Sequence, residues 1–198
     1  MGAYRVTALA LLPLALAIGQ FPQIIHDAVP TILLHLALVS AVHISMGLQR
    51  LRRTSSHFLY DVLLCIPCFY ALVVLMGAPF TSQTRATLTL SVSLAILSAC
   101  SRTSTKTSIW TLIEALGHRK MERGSKVDQK QRAVKIYALA LTLGAYLGAI
   151  PIPLDWDRDW QQWPITVYTG ACLGHAVGCL ASLVFVRRSC ADSNKDDK

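Results

Sequence analysis

Charge is what this chain has least of. Only 15% of its 198 residues are Asp, Glu, Lys or Arg, against about 25% in soluble domains, and several stretches run 15 residues or more without one. A water-soluble fold needs polar faces interleaved with its apolar ones, so this scarcity predicts an integral membrane protein. Catalytic signatures are missing as well: no H-E-x-x-H, G-x-S-x-G, P-loop or Rossmann fingerprint occurs. A disulfide framework is also excluded. Cys65, Cys68, Cys100, Cys172, Cys179 and Cys190 lie mostly within apolar runs, where Cys serves as a small packing residue. Cys65 and Cys68 form a C-x-x-C, but no βαβ pattern surrounds it and packing is the preferred role. Cys190, behind Arg187 and Arg188, has the juxtamembrane setting that acylation favours.

What the chain does have is six apolar segments, at about 6–19, 28–48, 59–78, 86–101, 134–150 and 165–186. The expected fold is all-α: one polytopic domain, a bundle of six transmembrane helices. The first and fourth segments are short against the roughly 20 residues that cross a bilayer. Arg5 ahead of an apolar run ending Ala15-Leu16-Ala17 also fits a cleaved signal peptide. A retained span is preferred, because its removal leaves five spans and an N-terminus outside.

Basic residues set the orientation. With both termini cytosolic, the inner segments, including a basic loop at 102–133, carry 17 of the 19 Lys and Arg residues. The outer connections at 20–27, 79–85 and 151–164 hold only Arg85 and Arg158. The net charge of +8 is thereby explained by topology and by anionic headgroups, and no nucleic-acid partner is needed. In the basic loop, Ile109, Leu112, Ile113 and Leu116 share helical spacing, which fits either a helix lying on the cytosolic leaflet or a prolongation of the fourth span. Residues 117–130 read as a solvated linker.

Three groups of residues stand out. Gly144 and Gly148, then Gly170, Gly174 and Gly178, recur every four residues, so each set lines one helix face and permits close backbone approach. Spacing alone does not decide whether the neighbour is another span of this chain or a partner's helix, and internal packing is the default reading. His35, His43 and His175 fall at membrane depth, where ionisable residues are functional candidates. With no Asp or Glu beside them, neutral interhelical hydrogen bonding is the preferred reading over a proton path. Between the last two spans, Pro151, Pro153, Asp155, Trp156, Trp160 and Trp163 mark an acidic, Trp-rich connection at the bilayer boundary. Its D-x-D-x-D lacks the glycine and distal Glu of a calcium loop, so no metal site or cofactor is expected. The outer connections are too short to fold a catalytic domain, which needs at least about 40 residues.

The stretch LGAIPIPLDWDRDWQQWPITVYTGACLGHAVG, from Leu147 to Gly178, closely resembles the signature region of the PIG-F family, and Gly77-Ala78-Pro79 resembles that family's GAP turn. The resemblance implies a multi-pass protein of the endoplasmic reticulum membrane acting in GPI-anchor biosynthesis. It further implies a non-catalytic accessory subunit that binds and stabilises the catalytic subunit or subunits of GPI ethanolamine-phosphate transferase, whose chemistry resides in a lumenal, metal-dependent domain of the partner. The glycines and the Trp-rich loop then become candidate partner-docking residues. Two rival readings remain: a transporter or lipid-handling protein using the intramembrane histidines, and a lipid presenter within the same complex.

Overall fold

Apolar runs punctuated by Pro, Gly and short polar connections become helices packed side by side. A computed structural model describes residues 3–48, 54–79, 81–100, 126–154 and 158–196. Helix α1 (Ala3–Gly19) turns at Gln20 into the short α2 (Phe21–His26), whose Pro22 occupies an opening position where a missing N–H costs nothing. Then follow α3 (Ala28–Leu48), α4 (Thr54–Leu75) and α5 (Thr84–Cys100). Helices α6 (Lys126–Ala149) and α7 (Ile165–Asp196) are joined through 3₁₀ turns at Ile152–Leu154 and Asp159–Gln161. Among the described residues there is no strand.

Helix boundaries depart from expectation where local chemistry is decisive. Residues 126–130, expected as linker, form the first turn of α6, as their Lys and Gln side chains favour helix. Helix α7 runs to Asp196, past the expected end at 186. Helix α4 stops at Leu75 because Gly77 adopts a φ of +100°, a conformation open to glycine. The N–H groups of Gly77 and Ala78 then bond the carbonyls of Val74 and Val73, closing the helix in a Schellman motif. The segment at 109–116 and most of the basic loop lie outside the described residues.

Helix α5 is the centre of the packing, in contact with α3, α4 and α7. It is rich in Thr and Ser, yet Thr87, Ser91 and Ser93 are fully buried. The Ser91 and Ser93 hydroxyls donate back to carbonyls one turn earlier, at 2.8 and 2.7 Å to Thr87 and Thr89, and the Thr87 hydroxyl has the Gln83 carbonyl within reach at 3.2 Å. Each of these buried hydroxyls thus has an acceptor within its own helix, and its small side chain admits close neighbours.

The outer surface is the reverse of a soluble protein's. Leu63, Leu75 and Leu147 are 68%, 85% and 60% exposed, while His35, Thr87, Ser91, Ser93 and His175 are buried. Two stretches, Lys135–Leu154 and Ile165–Phe185, are long and apolar enough to cross a membrane.

Candidate functional site

The glycine ladders meet each other. A β-carbon on Gly144 would stand 2.7 Å from the Gly174 α-carbon, and one on Gly170 would stand 2.9 Å from the Gly148 α-carbon. On Gly148 it would press against Thr166 and Val167, at 3.0 Å. At Gly178 the contacts relax to 3.1 Å, against the Ala140 and Tyr137 side chains. The register is antiparallel and ends at Ser182, whose hydroxyl lies 2.9 Å from the Ala133 carbonyl. The neighbour that spacing left open is therefore this chain's own α6 facing α7, drawn together because neither backbone carries a β-carbon at the contact. Gly144, Gly148, Gly170, Gly174 and Gly178 thus line an internal seam between the two helices.

Above this seam, the two segments that carry the family resemblance are tied together. The Trp163 indole N–H donates to the Thr87 hydroxyl at 3.2 Å, and that hydroxyl lies 3.1 Å from the Pro79 carbonyl it can donate to. Thr87 thus links the turn at 77–79 to the Trp-Pro that opens α7. Pro164 is buried and follows a cis peptide bond from Trp163. Gln161, also buried, donates its amide to the Pro151 carbonyl at 2.7 Å and accepts the Arg158 backbone N–H at 3.0 Å. One buried amide therefore ties Pro151 to Arg158.

Both buried histidines are built into hydrogen-bond chains. Tyr137 Oη lies 2.5 Å from the Leu97 carbonyl, which can only accept, so the phenol donates there. His175 Nδ1, 2.6 Å from the same phenol, is then the donor to it, which leaves Nε2 facing Cys179 Sγ at 3.8 Å. This chain ties α5, α6 and α7. His35 Nε2 lies 2.9 Å from Gln20 Oε1 and donates to it, so its Nδ1 accepts from the Tyr168 hydroxyl at 3.3 Å. That chain ties the α1–α2 corner to α3 and α7.

The remaining candidates are placed unevenly. Pro151 and Trp160 are half-buried at the connection and Pro153 is exposed. Asp155 and Trp156 lie outside the described residues. His43 belongs to α3, but its side chain lies outside the described set. Among the described residues, no group of three or more His, Cys, Asp or Glu converges as a metal site. Thr87, Gln161, Tyr137, Tyr168 and Gln20 were not singled out by the sequence. A usable signal existed for the last three, since each is a polar group inside or beside an apolar run that also contains, or faces, a histidine.

Comparison with known proteins adds the following. The family model described as "GPI biosynthesis protein family Pig-F" matches residues 8–183. Glycosylphosphatidylinositol anchor biosynthesis protein 11 of Debaryomyces hansenii is 38% identical over 126 residues, covering 63% of this chain and 51% of that protein. The Mus musculus protein named "GPI ethanolamine phosphate transferase, stabilizing subunit" is 30% identical over 162 residues, 75% of this chain and 69% of that protein. In the Neurospora crassa anchor biosynthesis protein 11, identity rises to 61% over 36 residues, 18% of this chain and 13% of that protein. The chain spans about half the length of the first curated relatives it matches. No solved structure matches.

Proposed function

Because this chain belongs to the GPI biosynthesis protein family Pig-F, we propose that it is a non-catalytic membrane subunit that binds and stabilises the catalytic subunit of a GPI ethanolamine phosphate transferase. The name of its mouse relative, a stabilizing subunit, points the same way. The observation that carries the reading is the Trp163–Thr87–Pro79 link. It gathers the family-like segments into one cap, seated on a hairpin whose backbones touch at Gly144 and Gly174. A cap so held is a rigid surface for a partner, and rigid elements make the most accurate binding surfaces. The glycines serve this surface from beneath by fixing the hairpin, while Pro153, Asp155, Trp156 and Trp160 remain the candidates for direct contact.

In this reading the protein is a six-span bundle of the endoplasmic reticulum membrane, formed by α1, α3, α4, α5, α6 and α7, with both termini cytosolic and the Trp-rich cap lumenal. Two features support it. The excess of Lys and Arg falls on the cytosolic side of that arrangement. The bonds from Gln20 to His35 to Tyr168, and from Pro79 through Thr87 to Trp163, gather the three charge-poor connections at one end of the bundle. The engagement of His35 and His175 inside the bundle favours a structural subunit over a histidine-lined pathway.

The test is partner abundance. Removing this chain from cells should lower the amount of the catalytic subunit, and re-expression should restore it. Lost transfer with normal partner abundance would shift the role to lipid presentation, and transfer by this chain alone would overturn the reading.

A further inference from the structure

Helix α6 stands at the edge of the bundle. Apart from the bond of Tyr137 to the Leu97 carbonyl, its substantial packing is the seam with α7. Of the apolar stretch Lys135–Leu154, 11% is buried, against 44% of Ile165–Phe185. Its free side is not uniformly apolar. Leu139, Leu143, Tyr146 and Leu147 are each more than half exposed, and Thr142 and Ile150 are exposed with them. Spacings of three and four residues put these side chains on one face. Above that face the chain continues into the exposed Pro153 of the cap.

Two polar groups on the face point to what covers it. The phenols of Tyr137 and Tyr168 are buried and bonded, whereas the Tyr146 phenol has no hydrogen-bond partner among the described residues. Tyr146 lies three residues before the end of α6, about 4.5 Å along the axis. Helical side chains lean toward the N-terminus, which in α6 is the cytosolic end of the proposed arrangement. The phenol is therefore carried down into the hydrocarbon layer, away from the boundary where water and headgroups would accept its hydrogen bond. Acyl chains offer it no acceptor. One turn below, the Thr142 hydroxyl donates to the Ala138 carbonyl at 2.9 Å, and its oxygen can still accept. A donor and an acceptor one turn apart match a side chain that both accepts and donates, and within a bilayer amides and hydroxyls make such bonds across helices. We propose that this face of α6 docks a transmembrane helix of the catalytic subunit, with an Asn, Gln, Ser or Thr of that helix set between Tyr146 and Thr142, and Leu139, Leu143 and Leu147 packed beside it. The proposal rests on the subunit reading and gives it an intramembrane contact beneath the cap.

Site-specific photo-crosslinking of the full-length chain in native membranes tests the contact. A benzophenone side chain in place of Leu143 or Leu147 should crosslink to the catalytic subunit, recognised by its own peptides in mass spectrometry. The same group at Leu63, on the exposed face of α4, should not. Tyr146→Phe keeps the ring and removes an exposed hydroxyl. It should lower co-purification of the catalytic subunit about fivefold, the scale of one hydrogen bond, at an unchanged level of this chain. Crosslinking from Leu143 and Leu147 no stronger than from Leu63, crosslinking only to a second copy of this chain, or full co-purification with Tyr146→Phe would overturn the docking face. A drop in this chain's own level with Tyr146→Phe would make the hydroxyl an internal support and overturn it as well. The subunit reading fails separately, through unchanged partner abundance when the chain is removed.

Discussion

Trp163 and Thr87 lie 76 positions apart, yet the indole N–H of one rests 3.2 Å from the hydroxyl of the other. Thr87 stands between two claims, because its oxygen accepts from Trp163 while its proton faces the Pro79 carbonyl at 3.1 Å. A single side chain thus makes the turn that ends α4 and the connection that opens α7 parts of one surface.

Replacing Thr87 by Val keeps the shape and removes both bonds. The Trp163 N–H and the Pro79 carbonyl lose their partner, at a cost of about 1 to 3 kcal/mol for groups left unsatisfied in a buried setting. Ser at the same position retains the hydroxyl and is expected to recover most of the loss. Thermal unfolding in detergent reads the stability. Co-purification of the catalytic subunit should fall with Val and recover with Ser; equal behaviour of the two variants would show that the hydroxyl is idle.

The glycine seam predicts a gradient. Ala at Gly144 or Gly174 places a β-carbon against backbone atoms that cannot swing aside, and overpacking of this kind costs about 1 to 3 kcal/mol or more. Ala at Gly178 meets mainly the Ala140 and Tyr137 side chains at 3.1 Å and should cost less. Because the contact is internal, the steady-state level of this chain should drop before any effect confined to the partner. Loss of partner binding by Gly174→Ala with undiminished levels of this chain would contradict the internal seam.

Tyr137 and His175 should be coupled. Tyr137→Phe removes the phenol that bridges the Leu97 carbonyl and His175 Nδ1, so the single variants each strand a buried polar group. Combined with His175→Leu, the second change should cost less than it does alone, with a coupling of about 0.5 to 3 kcal/mol from the double-mutant cycle. If the pair is structural, transfer per assembled complex stays constant across the set. A drop in transfer per complex would reopen a proton-handling role.

Gly77 offers a test free of crowding, since a β-carbon there meets nothing within 4 Å. Its φ of +100° alone penalises a side chain. Ala should destabilise by about 1 to 2 kcal/mol, the cost of a left-handed conformation in an L-residue, and Asn, which tolerates that region better, should cost less than Val. Equal melting temperatures for Asn and Val variants would count against the backbone explanation.

Orientation is open to direct measurement. A glycosylation acceptor inserted between Arg158 and Asp159, both exposed, should be modified if the cap is lumenal. One placed after Lys198 should remain unmodified. The opposite pattern would invert the proposed topology.

Much of this molecule is legible in its residues. Length and apolarity of the runs forecast α1, α3, α4, α5, α6 and α7, because helix is the way an apolar segment satisfies its own backbone in lipid. Gly-x-x-x-Gly spacing marked a close helix contact, and the wording of residues 147–178 pointed to the family. Helix ends were less legible. Whether residues 126–130 belong to a linker or to α6 turns on modest propensities, whereas Gly77 ends α4 through a backbone angle that the run of letters does not display.

Tertiary structure alone decided who meets whom. Glycine spacing made an internal neighbour the default without naming it, and only the antiparallel register of α6 on α7 assigns Gly144 to Gly174. His35 and His175 likewise stood as bare candidates until Gln20, Tyr168 and Tyr137 arrived from other helices. Periodicity determines the face on which a residue lies, because it is a property of one helix. A hydrogen bond or a backbone contact between helices depends on depth, register and rotation of two, and the packing of the whole bundle sets these.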